Sequence, residues 1–159
     1  MIVLKDEGLY CPEGDFFIDP LLPCKNAVIT HAHADHARPG MKNYICTPET
    51  SEIMKLRISN DLLIKEVEYN KEIKINSVNI TFIPAGHVLG SSQIKIDNGS
   101  EVTIITGDYK RAIDPTCKAF EVHECDTFVT EATFASPNFK WPCVCLLYTS
   151  DAADELSCV

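Results

Sequence analysis

Short apolar runs separated by polar turns recur along most of the chain and predict a series of β-strands. Polar and apolar positions alternate with period two in segments 72–75, 77–82 and 93–96, as in half-buried strands. Asn76 is expected to form the turn between the first two of these segments. Further short apolar runs predict strands at 16–19, 27–30, 44–46, 102–106 and 127–130. Asp97, Asn98 and Gly99 should turn segment 93–96 back into segment 102–106 as a hairpin.

One helix is predicted directly after the run 44–46. Thr47 suits the N-cap position and Pro48 suits the first helical position. Glu49 and Glu52 would lie near the positive end of the helix dipole. We expect this helix to end at about Arg57.

Composition indicates one globular domain. The chain has 159 residues, of which 45% are hydrophobic and 23% charged. No apolar run approaches the roughly 20 residues of a membrane span, and the N-terminus does not resemble a signal peptide, so we expect a cytoplasmic protein without membrane contact. The net charge of −9 counts against a module that binds nucleic acid through phosphate contacts alone. It counts less against a metalloenzyme, because two divalent cations would add about four positive charges.

The cysteines and the C-terminal segment do not suggest a further site. Cysteines 11, 24, 46, 117 and 125 are scattered singly and are expected to be small, mostly buried hydrophobic residues. Residues 143–159 continue no earlier pattern, and Cys143 and Cys145 lack the second pair that a zinc site would need. Segment 145–155 resembles translated sequencing-adapter read-through. We therefore expect a domain at 1–142, a non-native tail at 143–159, and a longer natural protein of which this is the N-terminal part.

The chemistry of the chain is concentrated in the hexapeptide 31–36, HAHADH in one-letter code. Residues two apart in an extended segment face the same way, so His31 and His33 can point at one metal ion. A turn would then let Asp35 and His36 reach a second ion. Imidazole and carboxylate are ligands expected for zinc and similar divalent ions. Three of the five histidines lie in this hexapeptide, which favours a metal site over a solvated polar loop.

The hexapeptide resembles the H-x-H-x-D-H signature of the metallo-β-lactamase superfamily. Three more residues match that family's motifs in order: Asp19 at a strand end, His87 in Pro-Ala-Gly-His, and Asp108 in Thr-Gly-Asp. The resemblance implies that Asp19 orients the site, that His87 completes the first metal's ligands, and that Asp108 bridges two metals. Physical reasoning agrees, because three histidines leave a position for water and a carboxylate has two acceptor oxygens. The implied fold is α/β, an αββα sandwich of which only the N-terminal half is expected here.

The sequence motifs around these ligands are similar to those of the nuclease branch of the superfamily. Gly-His-Val-Leu-Gly-Ser-Ser at 86–92 is similar to RNA 3′-end processing factors, whereas glyoxalase-like and lactonase-like members usually have Thr-Pro-Gly after that histidine. Segments 8–12, 34–40, 106–110 and 130–134 are similar to the bacterial ligase-associated DNA exonucleases. The similarity runs from about Leu4 to Pro142.

Residues outside the main motifs are assigned less specific roles. By resemblance, Glu131 tunes a histidine further along the chain, the alternative being a solvent-facing carboxylate. Lys110 and Arg111 could contact phosphate or form a solvated basic pair. His123 matches no motif and is expected on the surface. The branch uses a further C-terminal histidine on the second metal, and no histidine follows His123 here.

The resemblance implies a metal-dependent phosphodiester hydrolase acting on nucleic acid, expected to be an exonuclease that prefers DNA to RNA. Two divalent ions are expected as cofactors, zinc first and manganese second, with a DNA ligase and a helicase as possible partners. Two alternatives stay open: a small-molecule hydrolase of this fold acting on a thioester, lactone or cyclic nucleotide, and a catalytically incomplete metal-binding fragment. The expected metal ligands are His31, His33, Asp35, His36, His87 and Asp108. The residues expected to serve catalysis are Asp19, Asp35, His36, Asp108 and Glu131.

Overall fold

The computed structural model describes residues 1–132. The predicted tail at 143–159, with its three cysteines, and the predicted domain end at 142 lie outside the described residues. One sheet contains the strands β1 (Val3–Lys5), β2 (Gly8–Cys11), β3 (Phe16–Ile18), β4 (Asn26–Val28), β5 (Asn43–Cys46) and β6 (Ile64–Glu66). The other contains β7 (Glu72–Ile75), β8 (Val78–Pro84), β9 (Ser92–Asp97), β10 (Val102–Ile105) and β11 (Thr127–Val129). The helix α1 is Pro48–Arg57.

Both sheets are mixed, and each has neighbouring strands that run parallel. The first sheet follows the order β1-β2-β3-β4-β5-β6, and its strands from β3 to β6 are parallel. The second follows the order β11-β10-β9-β8-β7, with antiparallel pairs except for the parallel pair β10 and β11. Parallel neighbours bring their carboxyl ends, and the loops that follow them, to one edge of a sheet.

The main core lies between the two sheets. Phe16 and Ile18 of β3 belong to the same buried cluster as Phe82 of β8 and Ile94 and Ile96 of β9. Each is at most 2% exposed. Fully burying side chains of this size contributes about 1.5–3 kcal/mol each before entropy is counted. This core holds the strand ends in fixed positions relative to one another.

The helix covers the other face of the first sheet. Met54 of α1 is buried with Ala27 of β4 and Tyr44 of β5 in a second cluster. The N-cap behaves as predicted, because the Thr47 side chain accepts from the backbone N–H of Thr50. The layers are therefore helix, sheet and sheet, the arrangement expected for an α/β sandwich.

Most predicted elements are present, with small shifts at their ends. The turn at Asn76 has a positive φ of 51°, and β9 pairs with β10 as an antiparallel hairpin. The prediction omitted β1, β2 and β6, which contain three, four and three residues. Such short strands cannot show a clear period, and β1 is exposed along its length. Within residues 1–132, the structure has no helix of the length and apolarity needed to cross a membrane.

Candidate metal centre

The predicted site residues all follow β-strands. Asp19 follows β3, the hexapeptide 31–36 follows β4, His87 follows β8, Asp108 follows β10 and Glu131 follows β11. The carboxyl ends of β3 and β4, and of β10 and β11, point the same way because each pair is parallel. Packing of the two sheets then brings the loops of both together.

The hexapeptide forms a turn that is fixed to the helix. The backbone N–H groups of His36 and Ala37 donate to the carbonyl of His33, at 3.2 and 2.8 Å. The guanidinium of Arg57, the last residue of α1, donates to the carbonyls of Ala32 and Ala37. Arg57 thus holds both sides of the turn and restricts the directions of its side chains.

Four side chains converge as one group of possible metal ligands. One ligand atom from each of His31, His33, His87 and Asp108 lies within 4.8 Å of the others. His87 Nε2 lies 3.3 Å from His33 Nδ1. The carboxylate oxygen Oδ2 of Asp108 lies 3.8 Å from His31 Nε2 and 3.7 Å from His87 Nε2. We call these four residues the first donor set.

A second group lies on the other side of Asp108. Its oxygen Oδ1 is 3.3 Å from His36 Nε2, and that nitrogen is 3.7 Å from Asp35 Oδ2. We call Asp35, His36 and Asp108 the second donor set. The two oxygens of Asp108 thus face different sets, which is the geometry that a bridging carboxylate requires.

One buried histidine nitrogen, without a hydrogen-bond partner in the described part of the chain, shows that these residues suit a metal ion. His31 is completely buried, and its Nε2 has no hydrogen-bond partner among the described residues. Burial, followed by the charges of His36, His33 and His87, lowers the pKa of His31 to about 2. The imidazole is therefore neutral at physiological pH. A buried polar atom without a partner is costly, and a divalent cation would satisfy it, so the donor set fits a metal.

Asp19 contacts the second donor set through His36. It adopts a positive φ of 43° directly after β3. Its oxygen Oδ1 accepts from the backbone N–H of Thr30 at 2.8 Å, and Oδ2 lies 2.8 Å from His36 Nδ1. Burial lowers the pKa of His36, but the hydrogen bond that its Nδ1 donates to Asp19 and the charges of Asp19, Asp108 and Asp35 outweigh burial and raise the pKa overall. Because Nδ1 is engaged by Asp19, the Nε2 atom of His36 faces Asp108.

The loop that carries His87 has its own support. The backbone N–H groups of His87 and Val88 both donate to Ser91 Oγ at 3.1 Å. Gly86 has a φ of 71°, and a Cβ atom there would lie 2.3 Å from the carbonyl oxygen of Lys110. Only glycine permits this approach, which fixes His87 beside the loop of Asp108. Burial lowers the pKa of His87 overall, although the Asp108 charge opposes this.

Glu131 lies beside the second donor set, whereas Lys110 and His123 pair with acidic residues outside both sets. Glu131 Oε1 accepts from the backbone N–H of Tyr109, the residue after Asp108, at 3.3 Å. It also borders a cavity of about 350 Å³ together with Asp35, His36 and Asp108. Lys110 pairs with Asp114 at 3.0 Å. His123 is exposed beside Glu121, as expected of a surface histidine.

Sequence reasoning missed three supporting residues: Thr30, Arg57 and Ser91. Thr30 contacts both Asp19 and His31, and its position directly before the hexapeptide was the available signal. Ser91 lies in the Gly-His-Val-Leu-Gly-Ser motif at 86–91. Its hydroxyl accepts from His87 and Val88 only because the loop between them folds back. Arg57 is far from the hexapeptide along the chain and gave no signal.

No protein-family profile matches the chain, but curated relatives do. A protein from Opitutus terrae named as a probable DNA ligase is 25% identical over 137 residues, which is 85% of this chain and 13% of that protein. The transcription termination factor FttA of Methanosarcina mazei is 28% identical over 84% of this chain and 26% of its own length. An endoribonuclease YSH1 from Aspergillus fumigatus is 37% identical over 75 residues, or 45% of this chain and 9% of that protein. The chain thus spans about an eighth to a quarter of the first two relatives.

Two solved structures are similar to this chain over part of its length. The β-hydroxylase CmlA, in a mutant form, superposes with a TM-score of 0.50 at 17% identity, covering 67% of this chain and 29% of that one. The metallo-β-lactamase fold protein YhfI of Bacillus subtilis gives 0.47 at 14% identity, covering 63% and 52%. At 17% identity, the likeness to CmlA concerns the fold alone.

Proposed function

We propose that this chain belongs to the nuclease branch of the metallo-β-lactamase-fold superfamily and is part of a metal-dependent hydrolase that cleaves phosphodiester bonds in nucleic acid. The observation that carries the proposal is the carboxylate of Asp108. One of its oxygens faces His31 and His87, and the other faces His36. A shared carboxylate of this kind suits two cations about 3.5–4 Å apart.

Each site residue then has a role. His31, His33 and His87 would hold the first ion, Asp35 and His36 would hold the second, and Asp108 would offer one oxygen to each. Asp19 keeps His36 in its ligating orientation, and Glu131 adds negative charge beside the Asp108 loop. When bound, two divalent cations lower the pKa of a coordinated water towards neutrality and offset charge on phosphoryl oxygens. Zinc is the first choice and manganese the second, because the donors are imidazoles and carboxylates.

Nucleic acid is favoured as the substrate by sequence similarity at two levels, the motifs around the site and the chain as a whole. The sequence motifs around His87 and Asp108 are similar to those of nucleases. The relatives include proteins named as an endoribonuclease and a probable DNA ligase. Within this class we favour an exonuclease acting on DNA before RNA, in the cytoplasm, with a ligase and a helicase as possible partners. The net charge of −9 means that most phosphate contacts must come from the metals or from other parts of the protein.

The test uses protein expressed from the complete reading frame that contains this sequence. Zinc- or manganese-loaded protein is incubated with end-labelled single- and double-stranded DNA and RNA. We expect stepwise shortening that disappears in Asp108→Asn and persists in Asp61→Asn, a change at an exposed carboxylate. Brisk hydrolysis of a thioester, lactone or cyclic nucleotide without nucleic-acid cleavage would move the assignment to the small-molecule hydrolases. Metal binding without any turnover would indicate a non-catalytic protein.

A further inference from the structure

Thr30 lies directly before the first donor set and is hydrogen-bonded to several residues around the site, although a hydroxyl is a weak metal ligand. It is 1% exposed. Its hydroxyl lies 2.6 Å from Asp19 Oδ2 and 3.0 Å from His31 Nδ1, and its backbone N–H donates to Asp19 Oδ1. The carbonyl of Thr30 accepts from both the backbone N–H and the hydroxyl of Ser92, at 2.8 and 2.9 Å. Thr30 is therefore fixed by both neighbouring sheets.

The number of available hydrogens determines the direction of each bond. An ionised carboxylate only accepts, so the single hydroxyl hydrogen of Thr30 must point at Asp19. The hydroxyl oxygen is then left to accept from His31, which must carry its proton on Nδ1. A neutral imidazole with Nδ1 protonated has its lone pair on Nε2. That Nε2 is the buried, unpartnered atom facing Asp108.

Asp19 Oδ2 is shared between the two donor sets. It accepts from the Thr30 hydroxyl and lies 2.8 Å from His36 Nδ1. A chain of hydrogen bonds thus runs from His31 through Thr30 and Asp19 to His36. Both ends of this chain present Nε2 towards the same carboxylate, Asp108.

We propose that Thr30 is a positioning residue that holds His31 with Nδ1 protonated and Nε2 free for a metal, and that links its orientation to that of His36 through Asp19. The metal part of this inference rests on the proposed function; the proton position does not. Gly107 leaves room for this arrangement, because a Cβ atom there would lie 2.6 Å from both Cβ and Oγ1 of Thr30. Gly107, the residue before Asp108, thus packs directly against Thr30, the residue before His31.

The test compares three variants of the full chain. Thr30→Val removes the hydroxyl with little change in shape, Thr30→Ser keeps the hydroxyl, and Thr103→Val removes a hydroxyl of equal burial that donates to Glu101 instead. Long-range proton–nitrogen NMR on the metal-free protein reports which His31 nitrogen carries the proton. We expect Nδ1 in the parent, Thr30→Ser and Thr103→Val, and a shift towards Nε2 in Thr30→Val.

A second readout is zinc affinity measured by competition with a chelator. Loss of a hydrogen-bond partner behind a ligating histidine typically weakens metal binding about 10–100-fold, and we expect this in Thr30→Val alone. Protonation of His31 on Nδ1 and unchanged zinc affinity in Thr30→Val would overturn the inference. If the parent chain binds no zinc, the proposed function fails, whereas the NMR result still decides the role of Thr30.

Discussion

Replacing Asp19 with asparagine tests the hydrogen-bond account of the site with almost no change in shape. Asparagine is also one of the residues that tolerate positive φ, so the backbone at φ 43° should be retained. The Asp19 carboxylate receives three hydrogen bonds, from the Thr30 N–H, the Thr30 hydroxyl and His36 Nδ1. An asparagine side chain offers one acceptor oxygen and one donor NH₂ group. In either orientation its NH₂ group meets at least one donor.

The expected magnitude follows from this mismatch. A buried donor left without an acceptor costs about 1–3 kcal/mol. If that cost falls on the ligating orientation of His36, metal affinity drops by about 10–100-fold, since each factor of ten is about 1.4 kcal/mol. The loss should concern the second donor set more than the first, because His36 contacts Asp19 directly and His31 contacts it only through Thr30.

Cobalt titration followed by visible absorption, with chelator competition for zinc, measures the affinity of each site. The matched control is Asp15→Asn. Asp15 also has a positive φ, at the other end of β3, but its carboxylate accepts from the exposed Tyr10 hydroxyl. We expect Asp15→Asn to bind metal like the parent. Unchanged affinity at both sites in Asp19→Asn would refute the reasoning.

Three further predictions concern metal content, packing and pH. Elemental analysis should find about two divalent ions per chain, falling sharply in His33→Ala and Asp108→Ala; a folded parent without metal would contradict this. Gly107→Ala should lower the free energy of unfolding by about 2–5 kcal/mol, from left-handed strain and overpacking against Thr30. Gly99→Ala adds strain at φ 86°, but its Cβ atom would meet no atom within 4 Å. Urea denaturation should therefore show a smaller loss of stability for Gly99→Ala than for Gly107→Ala, and equal losses would refute the contribution from overpacking. In the metal-free chain, the pKa of His31 falls from 6.5 to about 2 on folding, so its contribution to stability is retained above pH 6.5 and lost as the pH falls below it. The free energy of unfolding should fall between about pH 7.5 and about pH 5, and it should fall less in His31→Asn than in the parent chain. An equal fall in the two proteins would count against the low pKa of His31.

Local signals in the sequence predicted the elements that have a clear period or a clear cap. Thr47 and Pro48 placed the start of α1, and the alternation around Asn76 placed β7 and β8. The short strands β1 and β6 were missed because three residues carry too little periodicity. They form through pairing with β2 and β5, which is a tertiary effect.

The candidate site divides in the same way. The ligand types and their order along the chain could be predicted, because imidazoles and carboxylates cluster after strands. The resemblance also implied that Asp108 bridges two metals, but which of its oxygens faces which donor set could not be predicted, since that depends on packing of one sheet against the other. Thr30 and Arg57 were missed for a related reason. Their roles are hydrogen bonds to backbone and side-chain atoms that only the folded chain brings together.

The central claim is that Asp108 joins two metal sites, and anomalous diffraction from zinc-loaded crystals of the full chain tests it most directly. We predict two anomalous peaks about 3.5–4 Å apart. One should lie among His31, His33 and His87, and the other beside Asp35 and His36, with one oxygen of Asp108 directed at each. A single peak, or two peaks that do not share Asp108, would contradict the account.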